Sequence, residues 1–275
     1  MEPVAPLYTA ELFPPLHDAL IELLRGLSSD DWERPTVAGR WRVRDVAAHL
    51  LDGDLRKLSV VRDGHLAPPD EPVGDYADLV RFLDGLNAKW VDAARRLSPR
   101  VLVDLLAFTG PLVSELVASL PPHAPAIFSV AWAVEDASEN WFDIGREYTE
   151  RWHHQMQIRA AVDAAPLTER RWLYPLLDLS FRALPHAYRD TEARDGTSVV
   201  VRVADDAWSL VREGSAWRLY RGVAPAPAVV ATIDPDAAWR FLYNALSEDE
   251  ARARIQIEGD ATLAAPLFAM RSVMV

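Results

Sequence analysis

Glu150 and His154 stand four residues apart in the stretch Glu150-Arg151-Trp152-His153-His154-Gln155-Met156-Gln157. An α-helix advances about 100° per residue, so positions four apart lie one above the other on the same face. A carboxylate and an imidazole stacked this way can grip one cation. A third ligand must come from elsewhere, and His49, far upstream, is the best candidate. Two imidazoles and a carboxylate suit zinc first, with nickel, iron and manganese as alternatives. Three protein ligands leave a coordination position open for water or substrate, which is the catalytic arrangement of such a metal.

The pattern has rivals. Most Glu-x-x-x-His pairs are solvated neighbours on a helix surface. Glu147 and Asp143 lie one and two turns before Glu150 and compete with it as carboxylate ligands. His153 points about 100° away from His154, so it is expected to pack or to face solvent. Asp45, one turn before His49, either orients that imidazole or sits there to favour a helix N-terminus. Gln157, one turn after His154, is a similar orienting candidate. His17 and His186 fall in helical stretches without ligand-like neighbours, and His65 and His123 in proline-rich loops. Trp41 and Trp152 flank the proposed ligands, while the other tryptophans read as core. There is no Gly-rich phosphate loop and no nucleophile-elbow motif.

Helices must position these groups. Leu16, Leu20, Leu23, Leu24 and Leu27 mark a first helix over about 12–27, with Pro14 and Pro15 in its first turn. Val43, Val46, Ala47, Leu50, Leu51, Leu58 and Val61 mark a second, over about 43–62, with His49 at the edge of the stripe. Pro68, Pro69 and Pro72 break the chain. A third helix spans about 76–97, and the stretch 101–120 continues helically with an interruption expected near Gly110-Pro111. The metal-bearing helix spans about 138–162, with Ser138 as its cap and Glu139 near its positive end. Four long helices with a site on their inner faces make a bundle.

After Asp163-Ala164-Ala165-Pro166 the pattern changes. One more helix, about 169–187, precedes runs of period two at 198–203, 208–212, 217–220 and 229–233. Asp234-Pro235-Asp236 opens a helix to about Leu246, Arg254 to Ile257 reads as a last strand, and Ala261 to Met270 as a last helix. The fold class is α+β: a helical bundle over 1–165, then a smaller α+β domain with an antiparallel sheet over 166–275.

Composition narrows the function. A net charge of −12 repels phosphate backbones and argues against a nucleic-acid partner. With no cysteine there is no disulfide framework and no thiolate metal site, so any thiol chemistry must use an imported sulfur. The N-terminus lacks a signal-peptide pattern, and the apolar run Ala126 to Val134 is too short to cross a bilayer. A cytoplasmic protein without a membrane partner, monomeric or homodimeric, is expected.

Two segments together carry a family resemblance. Trp41-Arg42-Val43-Arg44-Asp45-Val46-Ala47-Ala48-His49-Leu50 resembles the first signature of the DinB/YfiT-like metal-binding bundles, and Thr149 to Arg159 resembles the second. Within that superfamily the chain looks like the mycothiol-dependent maleylpyruvate isomerase branch, where a glutamate replaces the first histidine of a His-x-x-x-His pair. Thr232 to Trp239 and Ile257-Glu258-Gly259-Asp260 are similar to the sterol-carrier-like domain of that branch. The resemblance implies His49, Glu150 and His154 as ligands of a divalent metal. It also implies a low-molecular-weight thiol, mycothiol or bacillithiol, as co-substrate, and isomerase or S-transferase activity on a small electrophilic, carboxylate-bearing substrate. Arg240, Arg252 and Arg254 of the second domain are candidates to clamp that carboxylate, though each also suits a solvated helix or strand end. Two other functions fit the same signatures: a hydrolase using a metal-bound water, and a non-catalytic apolar-ligand-binding protein with a structural metal.

Overall fold

A computed structural model describes residues 1–68, 74–130, 137–270 and 272. Pro69, Pro72 and residues 131–134 of the apolar run lie outside the described residues. The chain forms two compact units. One is built from Tyr8–Ser129 and Ser138–Leu167; the other is built mainly from Thr168–Val275 together with Met1–Leu7.

The first unit is helical. Its long helices are α1 (Phe13–Arg25), α2 (Val43–Lys57), α3 (Tyr76–Ala94), α4 (Pro99–Ser119) and α5 (Asn140–Ala161). Among the described residues the unit thus has five long helices where four were expected: α2 packs against α3, α4 and α5, and α1 against α4 and α5. Leu24, Val43, Val46, Leu51, Leu102, Leu106 and Ile158 meet in one core. These residues recur at helical spacing, so a helix such as α1 can bury one face while its polar face stays in water, whereas α5 is buried on most of its surface.

Helix ends explain several local choices. Pro14 and Pro15 fall where α1 has no backbone N–H to lose. The Asp45 carboxylate accepts the Arg42 backbone N–H at 3.0 Å and starts α2. Asp75 and Ser98 cap α3 and α4. α2 continues as a π-helical turn, Leu58–Arg62. α4 runs unbroken through Gly110-Pro111, where an interruption was expected. Pro111 removes a single helical hydrogen bond, and the burial of Leu106, Val113 and Val117 on either side outweighs it. By length and composition alone α4 could cross a membrane; in the fold one of its faces is buried at these core positions, while Val101, Leu105 and Phe108 are exposed. At the start of α5 the cap position is held by Glu139, not Ser138, and Glu139 accepts from Trp141 Nε1 at 2.8 Å instead of capping.

Buried ions set α2 against α5. Lys57 Nζ lies 2.6 Å from Asp143 Oδ2, with both side chains inaccessible to water. Arg151 Nη2 donates to Asp54 Oδ1 at 2.5 Å, and Thr109 of α4 donates to the other Asp54 oxygen. Pairing 57 with 143 and 54 with 151 makes the helices antiparallel. The same register carries His49 toward Glu150 and His154.

The second unit holds a six-stranded sheet in the order β1-β4-β3-β2-β5-β6: β1 (Glu2–Pro3), β2 (Ser198–Val203), β3 (Asp206–Glu213), β4 (Ala216–Arg221), β5 (Val229–Ile233) and β6 (Gln256–Gly259). The sheet is antiparallel except at β2–β5, which run parallel. Its helices are α6 (Arg170–Ser180), α7 (Leu184–Ala187), α8 (Pro235–Leu242), α9 (Glu248–Arg254) and α10 (Ala261–Ala264). Asp178 of α6 is fully buried and takes Arg221 Nε at 2.6 Å, Arg182 Nη2 at 3.2 Å and Trp208 Nε1 at 3.1 Å, which ties α6 to β3 and β4.

Candidate metal centre

His49, Glu150 and His154 converge. One ligand atom from each lies within 4.8 Å of the others, and no fourth histidine, cysteine or carboxylate joins the group among the described residues. His154 Nε2 and Glu150 Oε2 are 3.5 Å apart. Two ligands held at about 2.0–2.1 Å from a tetrahedral zinc would be separated by roughly 3.3 Å, so this edge is close to size.

The tautomer of His154 sharpens the point. Its Nδ1 donates to Gln157 Oε1 at 2.8 Å. In the neutral ring Nε2 therefore carries a lone pair, and that lone pair faces a carboxylate. Two electron-rich atoms so placed repel unless a metal ion or a second ring proton lies between them. His49 Nδ1 is buried without a hydrogen-bond partner, a costly state for an imidazole nitrogen that a cation or polar ligand would relieve. The donor set therefore fits a divalent metal. Trp41 roofs the group, with its ring centroid 4.9 Å from that of His49 and 6.3 Å from that of His154.

Electrostatics favour the ligating protonation states. Burial, with the neighbouring His154, lowers His49 well below the ordinary imidazole value, so it stays neutral near pH 7. Burial pushes Glu150 up, but His153, His154 and Arg146 outweigh it and hold the carboxyl below its usual range. A neutral imidazole and an ionised carboxylate are the forms a metal binds.

The rival residues have other tasks. Asp143 is bound to Lys57 and to Arg146, and Glu147 lies 3.3 Å from Arg151 Nε. Asp45 caps α2, so the second of its two expected roles is the one observed. His153 packs: it is buried, and its Nδ1 donates to the Thr149 carbonyl at 2.9 Å, with burial and His154 pushing it down to about 3. Gln157 does hold the His154 ring. Arg240 and Arg254 are engaged in the second unit, Arg240 with Asp236 at 2.9 Å and Arg254 with Asp234 and Asp236 at 3.0 Å, and Arg252 pairs with Glu248. Two charged residues passed over in the sequence, Arg56 and Arg146, line up with the ligands. Arg56 lies seven positions after His49 and Arg146 four before Glu150, a helical spacing visible in the sequence itself.

An antiparallel helix pair carrying an open two-histidine, one-glutamate cluster, in a chain that also forms a separate α+β unit, defines a class of two-unit proteins with a metal-ready helical bundle. The chain belongs to the family of the mycothiol maleylpyruvate isomerase N-terminal domain, whose profile matches residues 13–159 and so includes all three cluster residues. A crystal structure of the mycothiol-dependent maleylpyruvate isomerase aligns with 92% of this chain and 92% of its own, at TM-score 0.54 and 11% identity. A histidine-to-alanine mutant of that enzyme aligns with 92% of each chain at TM-score 0.53 and 11% identity. At this identity the likeness shows the fold. No curated protein matches the chain in sequence.

Proposed function

We propose that this protein is a metal-dependent isomerase that uses a low-molecular-weight thiol on a small electrophile with an activated double bond. The observation that carries the reading is the open trio of His49, Glu150 and His154, in a chain of this family that has no cysteine of its own. A divalent cation held by the trio supplies a Lewis acid that stabilises a thiolate at neutral pH. Gln157 keeps Nε2 of His154 turned toward Glu150, so the ligand set is formed before any ion arrives. Trp41 covers the two imidazoles and keeps water from one side. One carboxylate and two neutral imidazoles leave a divalent ion with surplus positive charge, which favours a second anion such as a thiolate.

The chemistry balances without an oxidant. Thiol sulfur adds to one carbon of a cis double bond, the remaining single bond rotates, and the same sulfur leaves as the trans double bond forms. Mycothiol and bacillithiol are the candidate thiols and zinc the first candidate metal. The test is turnover of a cis-olefinic electrophile by zinc-loaded protein with and without each thiol. Wild type is expected to need both metal and thiol, and His154→Ala to lose both metal and activity. Equal turnover by the variant, or turnover without thiol, would reject the reading.

A further inference from the structure

Two stripes of partly buried positions leave the trio in one direction. On α2 they are His49, Gly53 and Arg56, set between the buried Leu50, Leu51, Asp52 and Asp54. On α5 they are Glu150 and Arg146, set between the buried Asp143, Glu147 and Tyr148. Because Lys57 meets Asp143, the two stripes run the same way along the α2–α5 seam.

Gly53 is the informative member. Inside a helix, glycine costs about 1 kcal/mol relative to alanine. Close packing can justify it, as at Gly110, where an added Cβ would lie 2.1 Å from His17 Cε1. At Gly53 an added Cβ would meet no atom within 4 Å. Packing therefore does not require glycine here, and its effect is to leave the helix surface bare one turn from His49.

The flanking arginines are held but not used up. Arg56 Nη2 donates to Asn87 Oδ1 at 3.3 Å, and its Nε lies 3.0 Å from Asp52 Oδ2. Arg146 Nε and Nη2 both donate to Asp143 Oδ1, at 3.2 and 2.7 Å. Among the described residues, neither Nη1 has an acceptor. A guanidinium oriented on one side with donors remaining on the other is a carboxylate receptor. The charges reach the trio, Arg56 acting on His49 and Arg146 on Glu150.

We propose that Gly53, Arg56 and Arg146 form a carboxylate subsite one to two helical turns from the trio, with Gly53 as its open floor and the two guanidiniums holding a carboxylate of the electrophile. The subsite rests on the thiol-dependent reading above. It selects short substrates whose carboxylate lies a few bonds from the carbon that takes the sulfur, since a helical turn rises about 5.4 Å.

The test is calorimetric titration of the dicarboxylate maleate into the full chain, zinc-loaded and metal-free, with zinc affinity measured separately by chelator competition. Wild type is expected to bind maleate, and Gly53→Leu and Arg56→Gln to weaken it by about tenfold or more while zinc is still bound. Gly53→Ala is expected to raise the thermal midpoint while still weakening maleate, a combination that a purely structural glycine would not give. Undiminished maleate binding in Gly53→Leu, or no binding by zinc-loaded wild type, overturns the subsite and leaves the metal reading standing. If zinc fails to bind, the metal reading falls; maleate binding to the metal-free chain with the same Gly53 and Arg56 dependence would then uphold the subsite, and its absence would overturn it.

Discussion

Gln157 decides what His154 can do. By accepting from Nδ1 it fixes the proton on the far side of the ring and presents a lone pair to the site. Replacing it with leucine, similar in volume, frees the ring to rotate and change tautomer. Gln157→Leu is therefore expected to lower zinc affinity by about 10–100-fold, the usual cost of losing such an orienting bond. Chelator competition measures this, and an unchanged circular dichroism spectrum would separate the effect from unfolding. The partner was legible because it lies one turn from its histidine. The fate of Asp45 was not, because one turn before His49 is also the third position of α2, and only the backbone shows which role the carboxylate takes.

His17 is a second residue whose charge state matters. It is buried in α1 against Gly110. Burial is the main force lowering its pKa; Asp54 and Asp18 oppose that and Arg151 assists it. The folded state thus binds a proton less readily than the unfolded chain, whose value is near 6.5. This contribution to stability is complete above that value and is lost as pH falls below it. Each such group changes stability by at most about 1.4 kcal/mol per pH unit. Urea unfolding of the metal-free protein between pH 7 and 5 is expected to show a shallower slope for His17→Gln than for wild type.

At the scale of elements, the helix-pair register depends on charges in the core. Lys57 and Asp143 are both buried, and Asp143 also holds Arg146. Removing one partner strands the other in a dry site. Asp143→Ala is expected to cost about 3–5 kcal/mol in urea unfolding. Lys57→Met with Asp143→Leu should recover part of that loss, because no buried lysine is then left unpaired; the remainder reflects Arg146, which loses Asp143 in both variants. Hydrophobic period revealed α1, α2 and α3 in the sequence because each has one clearly apolar stripe, whereas α5, buried on most of its surface, was placed by its Glu150–His154 pair. It was less useful for the end of the chain. No element was expected over the stretch that forms α9, between a helix ending near Leu246 and a strand starting at Arg254, although Ser247 and Glu250 form a capping box whose spacing is explicit. The partly buried stripe with Gly53 was also missed. Sequence shows which positions share a face, but which face stays open depends on the helices packed around it.

At the scale of the whole molecule, the chain order and the spatial units differ. Ala5, near the N-terminus, has its carbonyl held by Arg182 at 2.6 Å and Arg221 at 3.2 Å, and Glu2–Pro3 pairs with β4 in the second unit. Two residues carry no periodic signal, so the contribution of the N-terminus to the sheet could not be read locally. All three trio residues, by contrast, belong to the helical unit. A metal that binds only the folded trio stabilises that unit by about 2.7 kcal/mol at a hundredfold excess over Kd. Scanning calorimetry with and without zinc is expected to move one transition upward and leave the other in place. Asp178→Asn weakens the buried network of α6, β3 and β4 and should lower the unmoved transition alone, which assigns it to the sheet unit. Joint movement of both transitions would mean that the units unfold as one cooperative block, and no movement would mean that zinc is not held by these three side chains.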